Sequence, residues 1–203
     1  MRRLGCIILF AIVALASPAG AADRVGEVIA LIGECAADGA RGHRILSAGT
    51  AIDAGDTIGV AKGGRLKLRL ADGSVLSLAE GTRLTVEAFA ARGTDGRDAR
   101  LGLSSGLVRA VVSRMAQPSR FEVGTATAVA AVRSTDWFIE ARPEWTRVGV
   151  LIGRVGFTSN ATHKTVEIPD RFGSRVEPGK DPVEPRIWSQ PEFDEYVSAT
   201  ALP

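Results

Sequence analysis

The segment from Arg65 to Leu78 constrains the fold more than any other. Arg65-Leu66-Lys67-Leu68-Arg69-Leu70 alternates leucine and cation without a break. Successive side chains of a strand point to opposite faces, so this run has one apolar face and one charged face. Asp72-Gly73 then supplies two residues that tolerate the positive φ of a tight hairpin, and Ser74-Val75-Leu76-Ser77-Leu78 follows as the return strand. Thr82 to Glu87 alternates again. A chain patterned in this way folds into sheets with one face on a core and the other in water.

The same period recurs along the chain. Candidate strands are Gly26–Ile32, Arg100–Leu103, Leu107–Ser113, Phe121–Val123, Thr127–Val132, Trp137–Ala141, Thr146–Ile152, Val155–Ser159 and Lys164–Ile168. Turn residues such as Gly63-Gly64, Ser105-Gly106 and Gly153 separate them. About a dozen short strands predict an all-β domain over residues 23–168, built as a two-sheet sandwich or a short β-solenoid. Beyond it, Pro169, Pro178, Pro182, Pro185 and Pro191 interrupt the pattern. Residues 169–203 therefore read as an extended proline-rich tail, pinned locally by Phe172 or Trp188. Ser189-Gln190-Pro191-Glu192 has capping-box spacing and predicts a short helix near 190–199. Phe193, Tyr196 and Val197 share one face of that helix, which docks on the sheets or meets another protein.

The first 22 residues read as a signal peptide. Arg2 and Arg3 precede an apolar run from Leu4 to Ala16, and small residues around Ala19 to Ala22 suit cleavage. The mature chain is then expected to be periplasmic or secreted. It holds no later apolar run of about 18 residues, so no transmembrane segment is expected. The formal charge of +2 belongs to the leader. Removing Arg2 and Arg3 leaves 23 basic residues against 23 acidic. A nucleic-acid partner is not expected at such a balance. Cleavage also removes Cys6 and leaves Cys35 alone, as a buried small hydrophobe or an intermolecular partner.

Patterns that carry chemistry are sparse. His43 and His163 stand far apart, without a second histidine or cysteine nearby. No metal site and no cofactor are expected. Cys35 and His43 are close enough in sequence for a remote reading as a cysteine hydrolase, but no third group is evident. The chain is expected not to be an enzyme. Aromatic residues are few, and Trp137-Phe138 places two rings on opposite faces of one strand. One ring is expected in the core and the other partly exposed, with Trp145 folding back on Trp137. The candidate ligand or partner contacts are Arg133, Trp137, Trp145, Trp188, Phe193 and Tyr196. The leading reading is an interaction or sensing module for an envelope protein or cell-wall component. The alternative is a sensor for an anionic chelate or glycan, with Arg133, Arg142 or Arg147 beside Trp137.

Phe121-Glu122-Val123-Gly124-Thr125-Ala126-Thr127-Ala128, then Ala131-Val132-Arg133-Ser134-Thr135-Asp136-Trp137, then Val148 to Gly156 together resemble the FecR domain family. Gly26-Glu27-Val28, Ala54-Gly55-Asp56-Thr57-Ile58, Leu70-Ala71-Asp72-Gly73-Ser74 and Gly106-Leu107-Val108-Arg109 look like its other markers. The resemblance spans about residues 24–160. Ser134 stands where the family usually has glycine, and Ala126 where it often has proline. The family's named members are iron-dicitrate sensors that regulate an extracytoplasmic sigma factor through a sigma-binding segment and a transmembrane helix. The resemblance implies a β-rich, stand-alone exported FecR domain here, without that segment or helix.

Overall fold

The computed structural model describes residues 24–202, apart from 92–95, 115 and 117. The leader at 1–22 lies outside the described residues. The chain passes back and forth between two sheets. In the first sheet lies β1 (Arg24–Ile32); β2 (Cys35–Gly39) and β3 (Gly42–Ile45) form a hairpin in the second. Next come β4 (Ala51–Asp53) in the first and β5 (Thr57–Val60) in the second. The alternating hairpin, β6 (Arg65–Leu70) and β7 (Val75–Leu78), returns to the first sheet, and β8 (Arg83–Ala91) belongs to the second. A long strand, β9 (Arg97–Val111), runs through both. Then β10 (Ser119–Gly124) and β11 (Ala128–Val132) extend the second sheet, and β12 (Asp136–Arg142) and β13 (Trp145–Ile152) the first. Finally β14 (Arg154–Ser159) and β15 (Thr165–Pro169) close the second, while β16 (Phe172–Val176) and β17 (Arg186–Ile187) close the first.

The first sheet has the order β4-β1-β6-β7-β9-β12-β13-β16-β17. The second has the order β3-β2-β5-β8-β9-β10-β11-β14-β15. Among the described pairings, β9 with β10 is parallel and the others are antiparallel. A solenoid would stack parallel coils, so the arrangement is the sandwich. Inward residues of both sheets form one core, with Leu66, Leu68, Leu76, Val108, Ile139 and Val150 from one and Ile58, Leu84, Leu101, Phe121, Phe157 and Ile168 from the other. The predicted hairpin forms, but its register, with Leu66 opposite Leu78 and Leu68 opposite Leu76, closes it through the three residues Ala71-Asp72-Gly73, of which Gly73 takes the positive φ, and not through a two-residue Asp72-Gly73 turn.

Two further expectations change. Ser105-Gly106 is not a turn between strands but the crossing point inside the 15-residue β9. Gly106 has φ 92°, and a Cβ there would lie 2.4 Å from the Thr82 Cα. The bend transfers β9 from the side of β8 and β10 to the side of β7 and β12. Gly106→Val therefore meets both a forbidden φ and a backbone clash, and is expected to cost at least about 2 kcal/mol. A urea midpoint equal to that of the wild type would contradict this role.

The second change concerns the tail. Residues 172–176 are not extended chain but strand β16, paired along β13 from Thr146 opposite Val176 to Gly149 opposite Gly173. The prolines that suggested an end to the sheet sit at strand ends, with Pro169 at the last position of β15 and Pro178 past β16. The terminal helix α1 (Gln190–Thr200) forms where the capping box places it. The Ser189 amide donates to Glu192 at 2.8 Å, and Arg186 binds the same carboxylate. These contacts, Arg186 first, hold the Glu192 carboxyl down at about 2. A depressed folded-state value means the cap is intact above about pH 4.5 and is lost as pH falls toward 2. Side-chain NMR titration of Glu192 with a midpoint near 4.5 would exclude the capped geometry.

Candidate functional site

Sequence reasoning put aromatic residues at the centre of a binding surface, and the structure places most of them inside. Trp137 and Phe138 do take opposite faces of β12, but neither is exposed. Trp137 lies in the core between the sheets, while Phe138 faces outward and is covered. The cover is α1 and its leading Trp188. Trp188, Phe193 and Tyr196 are buried with Ala79, Leu107 and Phe138 in a second, smaller core. Ring centroids lie 5.4 Å apart for Trp188 and Phe193, 5.3 Å for Trp188 and Tyr196, and 5.5 Å for Phe138 and Tyr196.

Two glycines make this seat. A Cβ on Gly173 would come within 2.1 Å of the Trp188 ring, and one on Gly149 within 2.4 Å. Polar groups fix the helix laterally. The Tyr196 hydroxyl donates to Glu140 at 2.8 Å and accepts from Arg147 at 2.9 Å, and Arg142 donates to the other Glu140 oxygen at 2.7 Å. Burial, followed by the adjacent Glu140 carboxylate, pushes the Tyr196 phenol above its ordinary range. At the far end, Arg65 donates to the Ala199 carbonyl at 2.9 Å, a cation where the helix dipole favours one. The terminal aromatics thus dock on the protein itself, and Trp188 and Tyr196 also line a 440 Å³ pocket beside the helix with Arg147, Arg175 and Arg186. Trp145 does not reach Trp137. It sits half-buried at the hairpin end, with the Arg147 guanidinium 4.3 Å from its ring centre.

Arg133 is the predicted contact that stays at the surface. It lines a 990 Å³ groove on the outer face of the second sheet, together with Arg114, Ala131, Arg154, Gly156 and Glu167. A shallower 240 Å³ depression with Arg120 and Glu122 shares Ala131, Val132 and Arg133 with it. The floor comes from strand register, since Ala131 lies opposite Gly156 and Glu122 opposite Ala131. At one wall the turn at Gly153 (φ 99°) packs on the Ser134 carbonyl. Arg154 and Glu167 pair at 3.1 Å.

A buried ion pair that sequence reasoning did not flag sits behind this wall. The Asp72 and Arg97 side chains bind each other with no exposure at all. Arg97 also donates to the Ser113 carbonyl at 3.3 Å and to the Arg133 carbonyl at 3.1 Å, and so fixes the backbone that carries Arg133. Its guanidinium lies 5.2 Å from the Phe121 ring centre.

The hydrolase reading loses its nucleophile. Cys35 is buried, and that burial, with Glu34 as the lesser cause, pushes its thiol above the usual range. His43 lies at the other end of the β2–β3 hairpin, exposed and 2.8 Å from Asp38. Among the described residues no group of three or more His, Cys, Asp or Glu could hold a metal ion. No helix among them is long and apolar enough to cross a membrane.

Two crystal structures, at 1.65 and 2.50 Å resolution, of a Parabacteroides distasonis ATCC 8503 protein assigned as an anti-sigma factor are similar in fold. Each superposes with a TM-score of 0.58 at 19% identity over 70% of this chain. The match spans 64% and 63% of those chains, under two thirds of their length. No curated protein matches the chain in sequence. Residues 56–156 match the family model described as FecR protein. That span runs from Asp56 into the first half of β14 and includes the crossing strand and the turns at Ser134 and Gly153 that wall the groove, so the chain carries a FecR domain.

Proposed function

We propose that this FecR-domain protein is a non-enzymatic signalling or interaction module of the cell envelope, exported to the periplasm or secreted. It engages an envelope protein or cell-wall component through the outer face of the second sheet. One observation carries this reading. The aromatic face of the first sheet is covered by the chain's own helix, which leaves a 440 Å³ pocket beside it, whereas the larger Arg133 groove, walled by turns of the FecR-matched span, stays open. The alternative sensor site at Trp137 lacks a platform, because that ring is wholly enclosed.

Site-specific photo-crosslinking in the native envelope tests this. A crosslinking residue at Ala131 should give a discrete adduct, which Arg133→Glu abolishes. The same residue at Arg175, on the first sheet, should give none. Adducts from Arg175 alone would overturn the assignment of the face.

A further inference from the structure

We propose that the protein pairs with a second copy of itself through the end of the sandwich where β15 and β17 are the edge strands. The two ends of the sandwich are finished differently. At the β3–β4 end charged groups bridge the sheets. Arg41, in the β2–β3 turn, pairs with buried Asp53 of β4 and donates to the Ala51 carbonyl at 3.3 Å, and Arg44 of β3 pairs with buried Asp56. Ile45 is exposed there, but it lies opposite Ala36 on the outer face and not in the opening. At the other end Ile187 stands opposite Phe172, which packs on the core. Residues directly opposite share a face, so Ile187 also points between the sheets, yet it is 66% exposed. Val183 continues this edge, with its amide on the Arg175 carbonyl at 2.9 Å, and is 52% exposed. Apolar side chains left in water at an open sandwich end mark a surface that another molecule completes.

The adjoining edge of the second sheet fits its own copy. The Ser159 amide donates to the Lys164 carbonyl at 3.0 Å, so Lys164, Val166 and Ile168 turn their main-chain groups toward β14. Thr165 and Glu167 turn theirs to the open side, where no main-chain partner meets them among the described residues. Such a row is a template for another strand. In an antiparallel pair with Thr165 of one copy opposite Glu167 of the other, both exchange main-chain bonds, about four in all across the two-fold axis. The register centred on Glu167 would instead set two carboxylates face to face and bring Pro169, which lacks an N–H, against Thr165. The Glu167 carboxylate already has Arg154 at 3.1 Å, so it does not oppose the favoured register. The same axis brings the two β17 edges toward each other, with Val183 and Ile187 in the opening. Pairing is edge to edge, so the outer face of the second sheet stays open, and the dimer does not depend on the groove reading.

The test is analytical ultracentrifugation of the full chain over a concentration series, in which a dimer mass is expected. Thr165→Pro removes an outward N–H without touching the β14 ladder, and Ile187→Asp puts a charge in the opening. Each should weaken dimerisation at least roughly tenfold while the circular dichroism stays that of the wild type. His43→Pro removes the equivalent outward N–H at the β3 edge and should leave the dimer intact. In a Cys6→Ser background, Thr165→Cys and Glu167→Cys chains should form an intermolecular disulfide when mixed, and neither should do so alone. A wild-type chain still monomeric at roughly 0.1 mM, or a dimer that both Thr165→Pro and Ile187→Asp leave intact, would overturn the proposal. A monomer that still gives the Ala131 adduct would refute the dimer and leave the groove reading standing.

Discussion

Arg97→Ala is expected to cost about 3–5 kcal/mol, because it leaves the Asp72 carboxylate buried and uncompensated. For a domain with a total stability of about 5–15 kcal/mol, that is enough to leave a large unfolded fraction. The reason lies in what the guanidinium binds. Besides Asp72 it holds Ser74 at 3.2 Å and two main-chain carbonyls, those of Ser113 and Arg133. Ser74 in turn donates to Asp72 at 2.8 Å and accepts from the Ser113 amide at 3.1 Å. Arg97→Lys should recover only part of the loss, since an ammonium cannot reproduce a fork that reaches four acceptors. The paired change Asp72→Leu with Arg97→Met should cost less than either single change, since both charges leave the interior together. Urea denaturation of Arg97→Ala, Arg97→Lys, Asp72→Leu, Arg97→Met and the double variant measures this. A double variant no more stable than the singles would show that the hydrogen-bonded frame, and not the charge pair, is what matters. Arg97→Ala should also loosen the Arg133 turn, so folded remnants of that variant are expected to lose groove crosslinking before they lose the sheet signal.

How far the sequence disclosed this molecule depends on whether a feature is local. Arg65 to Leu78 and the cap at Ser189 specify themselves within one turn or one strand pair, and both form where the pattern puts them. β9 was misjudged because Ser105-Gly106 is turn-like by composition, whereas the need for glycine comes from Thr82, distant in sequence. β16 was missed because Gly173 and Ser174 carry no strand signal, and their small size serves a ring from outside the strand. The same nonlocality hid the site. Arg120, Arg133 and Arg154 are unremarkable as separate surface cations, and only the β10–β11–β14 register brings them into one row. The aromatics misled in the opposite direction. Their scarcity suggested a binding surface, but a chain with few rings needs them inside, and the terminal ones fill the outer face that Phe138 and Leu107 would otherwise expose.

That last packing yields the second large effect. Trp188→Ala removes a ring that is almost wholly buried, and is expected to cost about 3–5 kcal/mol. Gly173→Val should release the same helix by a different route, because its side chain would occupy the space of the ring. In that variant tryptophan emission should shift to the red, and an apolar dye should bind the uncovered face of Phe138 and Leu107. Gly59→Ala is the control, since a Cβ there meets nothing within 4 Å and should leave both signals unchanged. Coupling between the two sites is the decisive measurement. If Gly173 leaves space for the indole, then Gly173→Val is far less harmful once Trp188 is alanine, because the valine enters the vacated volume. The double variant should therefore be more stable than the sum of the single losses predicts, by at least about 1 kcal/mol. Strict additivity would mean that Gly173 serves the β13–β16 pairing alone and that the seat for Trp188 lies elsewhere. A coupled result would establish the helix as a fitted cover on the first sheet, which is the condition under which the second sheet is left as the face open to partners.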